Sequence, residues 1–224
     1  MPFKAHDLRS DLSFGARVEG LDWRALADPS VRAELKQIFE ERGLIVFEDV
    51  EQTAKMQVAI SQVFGPIKDL AFSTDVSRDH ENADLGRGVL DLHYKPSDDP
   101  NNTEGLVEID GRRLARFNPW HFDHCYTDRL NRGGVLRAVV NPPTGGRTGF
   151  MDGVDLYARF PKDLRDRLGD LKILYTLDIR FSAMRFGVTF TPLADGRNHV
   201  ALLKEAASLP RALHPAVWTR AGGQ

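Results

Sequence analysis

Apolar and polar positions alternate with two different periods along the chain, and the first clear one is helical. In "DPSVRAELKQIFEERG" the apolar residues Val31, Leu35, Ile38 and Phe39 fall on one face at a spacing near 3.6. Asp28 can cap the first turn, Pro29 fits its first position and Gly43 can end it, so a helix is predicted there. "LIVFEDV" follows at once, a short run of branched and aromatic residues that reads as a buried strand. A second helix is predicted in "TAKMQVAISQVFGP", with Met56, Ala59, Ile60, Val63 and Phe64 as its stripe and Gly65-Pro66 as its stop. Before these, residues 7 to 26 are turn-rich, with room for one strand in "GARVEGLDW".

From 73 to 119 the periodicity fades and Asp, Asn, Pro and Gly recur. A polar stretch of this kind reads as a functional loop or lid, or else as a disordered segment. Within it, "LVEIDGRRLARF" predicts a hairpin turning at Asp110-Gly111. Beyond 120, strands are expected to dominate. "GGVLRAVVNPPTGGRTGFMD" reads as a strand, a Pro/Gly corner and a second strand. "PKDLRDRLGDL" reads as a short helix, "KILYTLDIRF" as a strand, and a polar loop leads to "LHPAVWTRAGGQ". The pattern gives an α+β chain without internal repeats.

Composition narrows the function classes. A 42% hydrophobic share with 28% charged residues suits a folded, soluble chain, and 224 residues suit one domain, 1–224. A net charge of −2 gives no electrostatic footprint for nucleic acid or an anionic membrane. The lone Cys125 excludes an internal disulfide and fits a cytoplasmic setting. The N-terminus lacks the apolar centre of a signal peptide, and no run of roughly 18 apolar residues is present to span a membrane.

Candidate chemistry centres on "FNPWHFDHCY", residues 117 to 126. On a strand, residues two apart project to one side, so His121 and Asp123 would point together with Phe122 turned away. An imidazole nitrogen and a carboxylate oxygen so placed can take neighbouring positions on one metal ion. With a second histidine they make the two-histidine, one-carboxylate face of non-haem iron oxygenases. Alone, the pair reads equally as polar side chains on a strand edge, bonded to backbone or water.

Further blocks sharpen this reading. Trp120-His121-Phe122-Asp123 is followed by "PPTGGRTGF" at 142–150 and by "DLYARFPKDLRDRL". These three ordered blocks, with "GLDWRAL", "LIVFEDV" and "VFGPIKD" before them, resemble the taurine dioxygenase and aryloxyalkanoate dioxygenase (TauD/TfdA) family over most of residues 14 to 175. The resemblance implies a double-stranded β-helix, or jelly roll, with flanking helices. It implies an Fe(II)- and 2-oxoglutarate-dependent dioxygenase that hydroxylates a small, anionic organic substrate with O₂ and releases succinate and CO₂. Position by position, His121 and Asp123 match two iron ligands, and Thr148 matches the threonine that bonds a carboxylate of 2-oxoglutarate. Asn118 lies where a substrate-facing polar group is often found, and is equally a turn residue before Pro119. Arg87, Lys95, Arg112, Arg113 and Arg116 are candidates for an anionic substrate, against the plainer reading of a solvated loop surface. Family members often form dimers or tetramers, so a homo-oligomer is one assembly the resemblance admits.

The pattern breaks downstream. The family's third ligand, a histidine, and its 2-oxoglutarate arginine both fall after residue 224; the favoured expectation is part of a longer enzyme with its closing strands missing, against a short product that has lost its distal ligand or a sheet completed by a partner subunit. His124 should face away from the pair, His199 is expected in a surface loop or at a strand start, and His214 matches a histidine that is not an iron ligand. Two rivals follow: a jelly-roll protein that binds a ligand or partner without oxidising it, and a hydrolase using His121 and Asp123 with zinc.

Overall fold

A computed structural model describes residues 2–68, 89, 106–115, 120–178, 191–192 and 199–219. The N-terminal part is built on a three-stranded sheet. β1 (Lys4–Asp7) pairs antiparallel with β2 (Ala16–Glu19), and β2 pairs in parallel with β3 (Ile45–Glu48), with Ala16 opposite Ile45. A parallel pair needs a long crossover. Here α1 (Trp23–Ala27) and α2 (Pro29–Arg42) supply it, and α3 (Ala54–Phe64) follows β3.

The helix ends follow the capping chemistry of the sequence. The Asp28 carboxylate accepts from the Ser30 amide, Pro29 opens α2, and Gly43 closes it at φ 69°. Thr53 caps α3 by accepting from the Met56 amide at 3.2 Å. The helices press Leu21, Leu26, Leu35, Met56, Ile60 and Val63 against Phe3 and Val18 to form the core. β3, expected to be buried, is half-buried throughout.

A second sheet holds the predicted hairpin. β4 (Leu106–Ile109) and β5 (Arg112–Ala115) join through Asp110 and Gly111, at φ 50° and 70°. Positive φ at both central residues is what a tight type I′ turn demands. The short β7 (Thr191–Pro192) adds to the other side of β4. The third sheet pairs β6 (Lys172–Tyr175) antiparallel with β8 (Ala212–Pro215). Between these lie α4 (Gly153–Arg159), α5 (Lys162–Gly169) and α6 (His199–Ser208). Mixed helices and sheets agree with an α+β class, and no closed barrel forms among the described residues. No described helix is long and apolar enough to cross a membrane.

The expected strands between 133 and 152 are not formed. One backbone group and one side chain there bond to the region of α3. The Val135 carbonyl accepts from the Gln57 side chain at 2.9 Å, and Val135 packs on the N-terminal core. Arg137 donates to the Gln57 side chain and to the Gln52 carbonyl. The segment is thus laid along α3 by side chains instead of entering a ladder. Its apolar residues Leu136, Val139 and Val140 stay exposed. His199 is also placed differently from expectation: it opens α6 and is in neither a loop nor a strand.

Candidate metal-binding loop

The expected strand around "WHFDHCY" is instead an irregular approach, 120–122, and a turn over 123–126. His124 takes a left-handed φ of 59°, which histidine tolerates better than most side chains and which a strand forbids. His121 and Asp123 nevertheless converge. The imidazole Nε2 lies 3.2 Å from the carboxylate Oδ1, with both side chains more than half exposed. Phe122, between them, turns away to pack against Trp218 at 4.8 Å between ring centroids.

Neighbouring donors on an octahedral ion with bonds of about 2.1 Å stand roughly 3.0 Å apart. The observed separation therefore fits two neighbouring ligand positions, and the exposure leaves room for an ion on their outer side. The described residues supply no group of three His, Cys, Asp or Glu around a common point.

The loop is held from two directions. The Thr127 amide donates to the His124 carbonyl at 3.1 Å, closing the turn. The Thr127 hydroxyl lies 2.9 Å from the carbonyls of both His124 and Arg129. Lys68, just beyond α3, donates to that hydroxyl at 3.0 Å and to the Arg129 carbonyl at 2.7 Å. On the opposite side His214 of β8 places Nε2 3.0 Å from the Thr127 carbonyl.

Behind the pair the surroundings are drier. Burial lowers the His124 imidazole below its usual range, Lys68 adds to this, and Asp123 opposes it. The His124 Nδ1 is buried without a hydrogen-bond partner. Burial likewise raises the Cys125 thiol and the Tyr126 phenol. These groups stay neutral near pH 7, leaving Asp123 as the anionic member of the turn.

Thr148 is exposed on the irregular stretch after Gly145 and Gly146, at φ 75° and 59°. The glycine corner thus has the unusual backbone its sequence suggested. The Trp120 ring covers Gly149: a Cβ there would stand 2.7 Å from Trp120 Cη2. That contact brings the corner alongside the loop that carries His121. Asp152, further on, caps α4 at the Val154 amide and accepts from Ser13 at 3.1 Å. Arg112 and Arg113 lie exposed on the hairpin. Asn118, Phe117, Arg87, Lys95 and Arg116 lie outside the described residues, as does most of the polar segment 73–119.

The roles of Lys68, Thr127 and Trp218 have no motif signal. His214 had only its "HP" resemblance, which gave no partner. The bonds from Lys68 and from His214 join positions far apart in the chain.

Comparison with known proteins agrees with the blocks read from the sequence. The chain is 31% identical over 174 residues to the alpha-ketoglutarate-dependent 2,4-dichlorophenoxyacetate dioxygenase of Cupriavidus pinatubonensis, covering 75% of this chain and 57% of that protein. It is 29% identical over 187 residues to the (S)-phenoxypropionate/alpha-ketoglutarate-dioxygenase of Sphingobium herbicidovorans, covering 83% and 57%. It is 28% identical over 167 residues to pentalenolactone F synthase of Streptomyces avermitilis, covering 74% and 50%. The chain spans about half the length of these curated relatives. The family described as "Taurine catabolism dioxygenase TauD, TfdA family" matches residues 4–224, and the chain belongs to that family.

Proposed function

We propose that this chain carries the metal-binding loop of an Fe(II)- and 2-oxoglutarate-dependent dioxygenase that hydroxylates a small anionic organic substrate, with release of succinate and CO₂. The observation that carries the reading is the convergence of His121 Nε2 and Asp123 Oδ1 at 3.2 Å, in a chain matched to the family over residues 4–224. The relatives' names, which specify alpha-ketoglutarate and aryloxy or sulfate-ester substrates, support the cosubstrate and the anionic substrate class. The complete fold is a double-stranded β-helix.

Iron, when bound, supplies a Lewis-acidic centre with open positions for cosubstrate and O₂. The protein's own residues do the remaining work. His121 and Asp123 give one neutral and one anionic donor on the same side of the loop. The Thr148 hydroxyl donates to a carboxylate of 2-oxoglutarate, beside the pair because Trp120 rests on Gly149. Asn118 is the candidate substrate-binding residue by the family resemblance alone. Phe122 packs edge-on against Trp218 and gives the loop an apolar contact on the side away from the pair.

Two measurements test this in the intact protein. Anaerobic titration with Fe(II) should show one site, lost in Asp123→Ala and in His121→Ala. Turnover with 2-oxoglutarate and a panel of aryloxyacetates, sulfonates and sulfate esters should yield succinate in proportion to O₂ consumed. Thr148→Ala should raise the KM for 2-oxoglutarate about tenfold, the value of one charge-assisted hydrogen bond. Iron binding unaffected by Asp123→Ala would overturn the proposal.

A further inference from the structure

His214 is the only histidine or charged side chain that is buried among the described residues, at 8% exposed. A buried imidazole is costly unless its polar atoms are bonded. Its Nε2 faces the Thr127 carbonyl at 3.0 Å, and a carbonyl only accepts, so Nε2 carries the proton and donates. β8 sets this geometry. Ala212 and His214 share its buried face, while Leu213 points outward opposite Leu174.

The ring has two aromatic neighbours, Tyr175 at 5.9 Å and Trp218 at 5.5 Å. Trp218 in turn donates from its indole nitrogen to the Pro215 carbonyl, and its ring meets Phe122. Two routes therefore run from β8 to the loop. One is the hydrogen bond to residue 127, four positions after Asp123. The other is the stack from His214 through Trp218 to Phe122, which sits between His121 and Asp123. Lys68 holds the far side of the same turn through the Thr127 hydroxyl.

Resting on the dioxygenase reading, we propose that His214 is a positioning residue for the His121–Asp123 pair, fixing the loop through the Thr127 carbonyl and through Trp218 and Phe122. The imidazole binds neither metal nor substrate. It holds Phe122 against Trp218, and residues 121 and 123 project together away from that contact as a result. Supports of this kind behind a metal site typically change affinity about 10–100-fold.

The test uses the intact protein and Co(II) alone as the metal probe. Glutamine can place an amide N–H where Nε2–H now lies, and leucine cannot. His214→Leu should weaken Co(II) binding about 10–100-fold and speed hydrogen exchange at the Thr127 amide about tenfold or more, while amides of α3 keep their protection. His214→Gln should restore both to within about threefold of the parent. Trp218→Leu should weaken Co(II) binding with the hydrogen bond intact. Unchanged Thr127 exchange in His214→Leu, or equal losses in the leucine and glutamine variants, would overturn the positioning role. If Asp123→Ala binds Co(II) as the parent does, the dioxygenase reading fails instead, and the positioning role for a metal pair falls with it. Thr127 exchange then still reports whether His214 holds the turn.

Discussion

At residue 149 a missing side chain decides where an aromatic ring can lie. The Trp120 ring occupies the volume a Cβ would need, 2.7 Å from its Cη2. Gly149→Ala therefore forces the exposed indole aside, a shift that costs little stability because its far edge is free to move. On the proposed function, the expected outcome is a 2-oxoglutarate affinity lowered about tenfold, read by titration under anaerobic conditions. The sequence made the neighbouring pair legible, since His-x-Asp puts two donors within reach of one point. It predicted the convergence from strand alternation, whereas a turn with a left-handed His124 produces it. The supports were not legible. Lys68 and His214 reach Thr127 across 59 and 87 positions, and no local pattern encodes a hydrogen bond of that span.

Helices were the most readable elements because their ends are signalled locally. Asp28, Pro29 and Gly43 bracket α2 where capping chemistry put them, and the Asp110-Gly111 turn needed nothing beyond its two residues. Thr53→Ala should lower stability by about 1 kcal/mol in chemical denaturation, because the Met56 amide loses its acceptor at the first turn of α3. Gly43→Ala should cost a similar amount, about 1 kcal/mol, since alanine is strained at φ 69°. Strands after 133 were misread for a physical reason. A strand is completed by a partner, and apolar runs such as that ending in Val139-Val140 do not name theirs. Here Gln57 and Arg137 satisfy the segment through side-chain contacts.

At the scale of the whole molecule, three exposed carboxylates of the N-terminal part each add a small, solvent-screened acid sensitivity. Asp11 is lowered by its hydrogen bond from Arg9, Asp28 by Ser30, and Glu51 by Thr53 and then Trp23. A carboxylate lowered in the folded state stabilises it above the unfolded pKa, about 4, and that contribution is lost as pH falls through the folded value. A denaturation midpoint measured against pH should be flat above about 5 and decline below about 4, with the decline reduced in Asp28→Asn. The same separation of parts has a consequence for biosynthesis. The N-terminal sheet and helices close over short distances, but His214 meets Thr127 only after 87 further residues have been made. On the ribosome, a nascent chain would complete its first core while the turn over 123–126 still lacked its clasp. The loop that carries His121 and Asp123 is therefore settled last, after the N-terminal core is in place.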